Sequence, residues 1–266
     1  MSLSTRSSEA SFVDGGGGTV SNSVTPGTPP AISPEVNITV TKKGLRLSQH
    51  GVVISELRTS VGPTHSVFDV LAALVAVLEP TGRVGVLGFA GGGMMAPLRG
   101  LRMEALIESV DLDREGYDLF RRHCPGWVAG VRWQQGDAVD WLRKQAPRFS
   151  LLLEDLSVPQ NGDVFKPEIS WSVLPKLIRQ RLNRGGIAVF NLLRPNHGRW
   201  SPELGQVARR FKTARSLELD EFENRILVAG DSLPSARDLG RRVREALRRL
   251  HSRQAERIKV RSFNPE

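Results

Sequence analysis

Cysteine is almost missing from this chain: Cys124 is the only one in 266 residues. A disulfide framework is thereby excluded, and a reducing compartment fits better. Long apolar runs are missing as well; none approaches the roughly 20 residues that cross a bilayer. The first residues lack the basic start and apolar centre of a secretory signal, and a transit peptide is disfavoured by Glu9 and Asp14 beside the single base Arg6. Metal-ligand spacing is absent too. His65, His123, His197 and Cys124 are scattered, so no metal site is expected. The expectation is a soluble, cytoplasmic protein that needs no membrane.

Hydrophobic residues make up 39% of the chain, enough for one sizeable core. Net charge is +9, but it is unevenly spread. Residues 237–261 hold ten Lys or Arg against Asp238, Glu245 and Glu256, which leaves only +2 for everything else. The basicity therefore belongs mostly to a tail.

Residues 1–36 include 21 Ser, Thr, Gly or Pro, and such a segment is expected to stay disordered. Residues 37–62 alternate apolar and polar side chains around "KKG" and "QHG", which predicts a small β-hairpin or meander. A domain over 63–232 follows, opening with helical periodicity at 65–78. Strands are predicted at 84–88, 106–111, 130–134, 149–154 and 186–192. Helices are predicted at 93–102, 114–123, 137–145 and 169–182, a β-α order that implies a mostly parallel sheet. Stretches 214–219 and 224–230 read as an appended antiparallel hairpin. Residues 233–266 form the basic tail, with an amphipathic helix predicted over 235–256 from Leu239, Val243, Leu247 and Leu250.

The first predicted strand runs into "GFAGGG", Gly88 to Gly93. Glycines between a strand and a helix let a ligand approach the backbone and the helix N-terminus, or simply permit a tight turn with close helix packing. No Lys-Ser/Thr follows them, so the phosphate-binding Walker pattern is absent. Acids follow at the next strand ends: Asp111 in "IESVDLD", Asp137 in "GDAVDWL", then Glu154 and Asp155 in "FSLLLEDL". Open α/β sheets bind ligands at that edge. Acids without a basic phosphate clamp suit a nucleoside that carries a cation.

On these motifs, with "LNRGGIAVFNLL" and "ENRILVA", the chain resembles class I S-adenosylmethionine-dependent methyltransferases, and among them the spermidine synthase-like branch, over about residues 37–230. The resemblance implies an α/β fold: a Rossmann-like, seven-stranded, mostly parallel sheet with an antiparallel C-terminal hairpin, preceded by a small N-terminal β-segment. It implies S-adenosylmethionine as cofactor. Gly88, Phe89, Ala90, Gly91 and Gly92 would line its methionine part, and Asp111 would hold the ribose. Asp137 would meet the adenine amino group with Ala138 beside it, and Asp155, the catalytic residue, would sit by the sulfonium and the incoming nucleophile.

Two departures bear on activity. Aminopropyltransferases of this branch carry an aspartate in the glycine loop, where this chain has Gly91, and a second acid three residues after the first, where it has Val158. A diamine needs such carboxylates. Three readings follow: a methyltransferase acting on a protein amino group or small amine, an aminopropyltransferase, or a catalytically silent fold that binds a nucleoside or a partner. The basic tail adds an acidic partner or nucleic acid to the expected partners, and self-association into a homodimer is another. Asn191 is read as a substrate contact or a backbone brace, Asp113 as a helix start and His65 as a surface residue at a helix start. The five tryptophans are read as packing, and 159–167 as a substrate-side flap.

Overall fold

In the computed structural model, residues 36–49, 51–78, 80–146, 148–160, 163–195 and 199–264 are described. The expectations for 1–35, His197 and the tip of the flap lie outside them. The described part belongs to one compact unit. It opens with a three-stranded antiparallel sheet, β1 (Asn37–Thr41), β2 (Gly44–Gln49) and β3 (Val52–Arg58).

The main body follows as α1 (Val67–Leu78), β4 (Val84–Leu87), α2 (Met95–Gly100), β5 (Ile107–Asp111), α3 (Glu115–His123), β6 (Val131–Gln135), α4 (Ala138–Lys144) and β7 (Phe149–Glu154). A short hairpin, β8 (Val158–Gln160) and β9 (Asp163–Phe165), leads to α5 (Glu168–Trp171), α6 (Leu174–Arg181) and β10 (Leu182–Leu192). The chain closes with α7 (Trp200–Ala208), β11 (Thr213–Leu219), β12 (Arg225–Gly230), α8 (Ala236–Arg249) and β13 (Ile258–Phe263). The helix predicted over 169–182 is broken in two at Ser172–Val173, with Pro175 in the first turn of α6, where a missing N–H costs nothing.

The main sheet has the order β13-β11-β12-β10-β7-β4-β5-β6. From β10 to β6 the pairing is parallel, and β12, β11 and β13 run antiparallel to their neighbours. Seven of these strands match the expected sheet with its reversed hairpin. The eighth, β13, corrects the count: beyond the helix the tail returns to pair along β11 from Ala214 to Leu219. Charge hid this strand, since "IKVRSF" buries only Ile258.

Side chains alternate across the sheet into two cores. Val84 and Val86 of β4 and Leu151 and Leu153 of β7 join α1 and α8 on one face; Leu87, Leu152 and Phe190 join α4, α6 and α7 on the other. The sequence of α1, "VFDVLAALVAVL", is apolar nearly all round, and α8 explains why. Leu239, Val243, Ala246 and Leu247 of α8 are fully buried, and α8 packs against α1. Burying each such Leu or Val is worth about 1.5–3 kcal/mol. The one acid of α1 is also bound into this junction. Asp69 is fully buried and accepts hydrogen bonds from Thr64 N and Oγ1, His65 N and, from the far end of the chain, Ser252 Oγ.

Many cations of the tail are spoken for. Arg241 pairs with Asp238 and Glu245, Arg248 with Glu256, Arg257 with Glu221 and Lys259 with Asp220, while Arg242 and Arg244 donate to the backbone oxygens of Val77 and Ile258. No helix among the described residues is long and apolar enough to cross a membrane.

Candidate active site

The strand order reverses between β4 and β7, because the chain builds outward from β4 to β6 and then crosses to β7. Ligand sites in such sheets form at the C-terminal ends beside that reversal. Here the strand ends are drawn tightly together. Gly88 N donates to Val110 O at 3.0 Å, and Asp155 N donates to Leu87 O at 2.8 Å. A Cβ on Gly88 would lie 2.6 Å from the Asp155 carbonyl oxygen, and its φ is +87°. Glycine is demanded at 88 by a backbone of this same chain.

The rest of the loop is held by Asp111. Its Oδ2 accepts from Phe89 N at 2.8 Å and Ala90 N at 2.7 Å. Ala90 is thereby kept at φ +44°, a conformation that favours glycine. Gly91 and Gly92 are buried, with their Cβ directions filled by Leu57 and Leu47 and by Phe89 and Phe120. The Phe89 ring joins an aromatic cluster with Tyr117 and Phe120, and Tyr117 stacks on Trp133 at 4.6 Å. Of the five loop residues singled out by the sequence, Gly88 and Ala90 are partly exposed, whereas Phe89, Gly91 and Gly92 are turned into packing. Gly116 of α3 was not singled out, yet a Cβ there would lie 2.3 Å from the Ala90 carbonyl oxygen. It sets the floor on which the loop rests.

Asp137 caps α4: its Oδ1 accepts from Val139 N at 2.8 Å and Asp140 N at 3.0 Å, with Ala138 buried behind it. Asp113 Oδ1 accepts from Glu115 N at the start of α3. Asp155 stands at the reversal. Its Oδ1 accepts from Asn191 Nδ2 at 2.6 Å, and Asn191 Oδ1 in turn accepts from Asn224 Nδ2 at 3.0 Å. Asn191 therefore braces the acid across β7, β10 and the start of β12, a side-chain role neither sequence reading foresaw. Burial pushes the Asp155 carboxyl up to about 6, opposed by the Lys166 ammonium and the Asn191 amide and assisted by Glu154 and Asp111.

Glu154 is fully buried, and Lys166 answers it at 2.9 Å with only 2% of its own side chain exposed. Lys166 also donates to Leu156 O, and Ser170 Oγ donates to Glu154. This buried pair ties the end of the β8–β9 hairpin to the strand end beside Asp155. Its partners lie 12 residues apart around a hairpin, so nothing in the local sequence marks them. His65 falls elsewhere: its φ is +64°, its Nδ1 accepts from Arg253 N, and the charges nearest it are Asp69, Arg253, Arg58 and Lys43.

Asp111, Asp137 and Asp155 make no ion pair among the described residues, in contrast to Glu108 near the other end of the sheet, which Arg83 clasps through both oxygens. Each of the three is held mainly through one oxygen. The second oxygen of Asp137 and of Asp155 has no protein partner there, and Asp111 Oδ1 has one long 3.3 Å contact from Asp113 N. Three anchored acids, each with an oxygen to spare, suit the hydroxyls, amino group and positive charge of an adenosyl sulfonium. The edge is a ledge flanked by the exposed Leu112. Two small clefts, of about 150 and 130 Å³, lie elsewhere, one around Thr81, Ser150 and Asn183 and one between α1 and α8. Neither gathers acids as this sheet edge does. No group of three or more His, Cys, Asp or Glu among the described residues is placed to hold a metal ion.

No family profile and no curated protein matches the chain. Solved structures do. A probable spermidine synthase from Corynebacterium glutamicum superposes with a TM-score of 0.69 at 17% identity, over 89% of this chain and 92% of that one. Human methyltransferase-like protein 13, solved in complex with SAH, gives 0.53 at 17% identity over 71% of this chain and 92% of its own. Spermidine synthase from Thermotoga maritima gives 0.55 at 13% identity over 75% and 70%. The chain therefore has the class I S-adenosylmethionine-dependent methyltransferase fold in its spermidine synthase-like form.

Proposed function

We propose that the chain is a cytoplasmic S-adenosylmethionine-dependent methyltransferase of spermidine synthase-like type, acting on an amino group of a protein or a small amine. The observation that carries this reading is the set of three unpaired, singly anchored acids at the ends of β5, β6 and β7. Asp111 would hold the ribose hydroxyls through Oδ1, and Asp137 the adenine amino group through Oδ2. Gly88 and Ala90, the loop residues that keep exposure, would face the methionine part. When bound, the cofactor supplies a methyl group already activated on a sulfonium, so much of the work left to the protein is alignment of the nucleophile. Asp155 would orient the incoming amine and take its proton, a task suited to a carboxyl titrating near 6. Asn191 and Asn224 keep its free oxygen pointed at one place.

Aminopropyl transfer is the second reading, favoured by the superposition on a probable spermidine synthase over nearly the whole chain. Against it stand Gly91 and Val158 in place of acids, and a buried ammonium, Lys166, beside Asp155 where a diamine would bring more positive charge. The two separate in one assay. Purified protein is given methyl-labelled S-adenosylmethionine with a cell extract, and separately decarboxylated S-adenosylmethionine with putrescine. Label in protein or small amines supports methyl transfer; spermidine in the second tube overturns it.

A further inference from the structure

The small N-terminal sheet carries a surface unrelated to the transfer chemistry. Among the described residues strand β1 is its outer edge, paired only to β2, and all five of its residues are exposed. Natural edge strands are protected by charge, proline or a bulge. "NITVT" has none of these. Register places Ile38 across from Leu47, and Val40 across from Leu45, which in turn pairs with Leu57. The three leucines are buried, so Ile38 and Val40 extend the same apolar face into solvent, exposed by 46% and 80%.

The end of this sheet is basic. The row Thr41–Gly44–Arg58 closes it, with Lys42 and Lys43 in the β1–β2 turn. None of Lys42, Lys43 and Arg58 has an acid partner among the described residues, although Arg46 further along β2 is paired with Glu56. Arg253 joins them from the C-terminal segment through its backbone contact to His65. The His65 imidazole registers the cluster: burial lowers its pKa, Asp69 opposes, and Arg253, Arg58 and Lys43 lower it further.

We propose that β1 is a docking edge for an extended acidic segment of a protein partner, which adds to β1–β2–β3 as a fourth strand and sets its acids on Lys42 and Lys43, with Arg58 adding to the positive field at that end. A free strand edge offers a ladder of backbone N–H and C=O groups that another backbone satisfies. Alternate apolar side chains of the segment continue the row of Ile38 and Val40, and its carboxylates meet the unpaired cations. Nucleic acid fits less well, because it has no peptide ladder and β1–β3 contain no aromatic side chain on which a base would stack.

The test uses the full chain and a fluorescein-labelled dodecapeptide alternating valine with glutamate, beside a control with lysine for glutamate. The acidic peptide is expected to bind with a micromolar Kd that weakens with salt, and to protect the amides of residues 37–41 from hydrogen exchange. Val40→Glu, at a position too exposed to disturb folding, is expected to weaken it at least tenfold, and Lys42→Glu with Lys43→Glu likewise. Three results would overturn the proposal: equal binding of both peptides, amide protection outside β1, or a dimer in sedimentation that Val40→Glu dissolves. A random oligonucleotide that displaces the peptide from Lys42 and Lys43 and is indifferent to Val40→Glu also overturns it.

Discussion

At the scale of single residues the two acids that matter most have separable jobs. The Asp155 carboxyl is raised from 3.8 to about 6 by burial, so folding disfavours its charged form. A carboxyl shifted this way supports the fold below its unfolded pKa, and that support is lost as pH rises from about 4 to about 6. Asp155→Asn is therefore expected to stabilise the protein by about 1–2 kcal/mol at pH 8, with no gain at pH 4, after discounting the shift for residual solvent contact. The same change should abolish transfer, whose rate in the native enzyme should climb with pH through about 6. Thermal melts at the two pH values read the first effect. Asp111 has two duties, since Oδ2 holds the loop amides and Oδ1 is left over. Asp111→Asn keeps an acceptor for those amides and should lower nucleoside affinity at least tenfold with little loss of stability. Asp111→Ala should lose both, because hydrogen bonds to a charged group are worth about 1.5–3 kcal/mol each. Equal stability of the two variants would show that the loop does not depend on the acid.

Among the elements, the glycine loop shows what a sequence reveals and what it conceals. "GFAGGG" and the acids at three strand ends were legible as neighbours on one edge of the sheet, because the βα order fixes where strand ends fall. The purpose of the glycines was not legible. Ligand approach and close packing were both open from the sequence; in the structure Gly88 yields to the Asp155 carbonyl, and Gly91 and Gly92 to leucine and phenylalanine side chains, which is the packing reading. Gly116, Lys166 and Asn224 could not be found at all, since each matters through a contact made only in three dimensions. The loop also carries an alanine where glycine is easier. Ala90→Gly, normally a loss, is expected to be neutral or stabilising by up to about 1 kcal/mol, since Ala90 sits at φ +44°. Gly116→Ala meets backbone at 2.3 Å and should cost more than about 2 kcal/mol. Chemical denaturation of the two variants checks both signs, and a destabilised Ala90→Gly contradicts the strain.

For the whole molecule, the informative surprise is the tail. Periodicity in "RDLGRRVREALRRL" exposed α8 with its leucine stripe, and charge pointed outward to a partner. The structure pairs much of that charge, still at the surface, with the chain's own Asp238, Glu245, Glu256, Glu221 and Asp220. Strand β13 escaped notice because an edge strand with one buried side chain has no apolar signature. If the tail is structural, removing residues 257–266 uncovers the edge of β11 and should lower the melting temperature by several degrees and promote aggregation. A truncated protein as stable as the full chain would mean that β13 contributes nothing to the fold. Cofactor binding is expected at the acid-lined edge of the sheet. Isothermal titration calorimetry of the full chain with S-adenosylmethionine, S-adenosylhomocysteine and decarboxylated S-adenosylmethionine tests it most directly. One-site, micromolar binding of the first two is expected, with weaker binding of the third and at least a tenfold loss in Asp111→Asn. Absence of heat from all three with folded protein would contradict it and leave a fold that carries the acids without the cofactor.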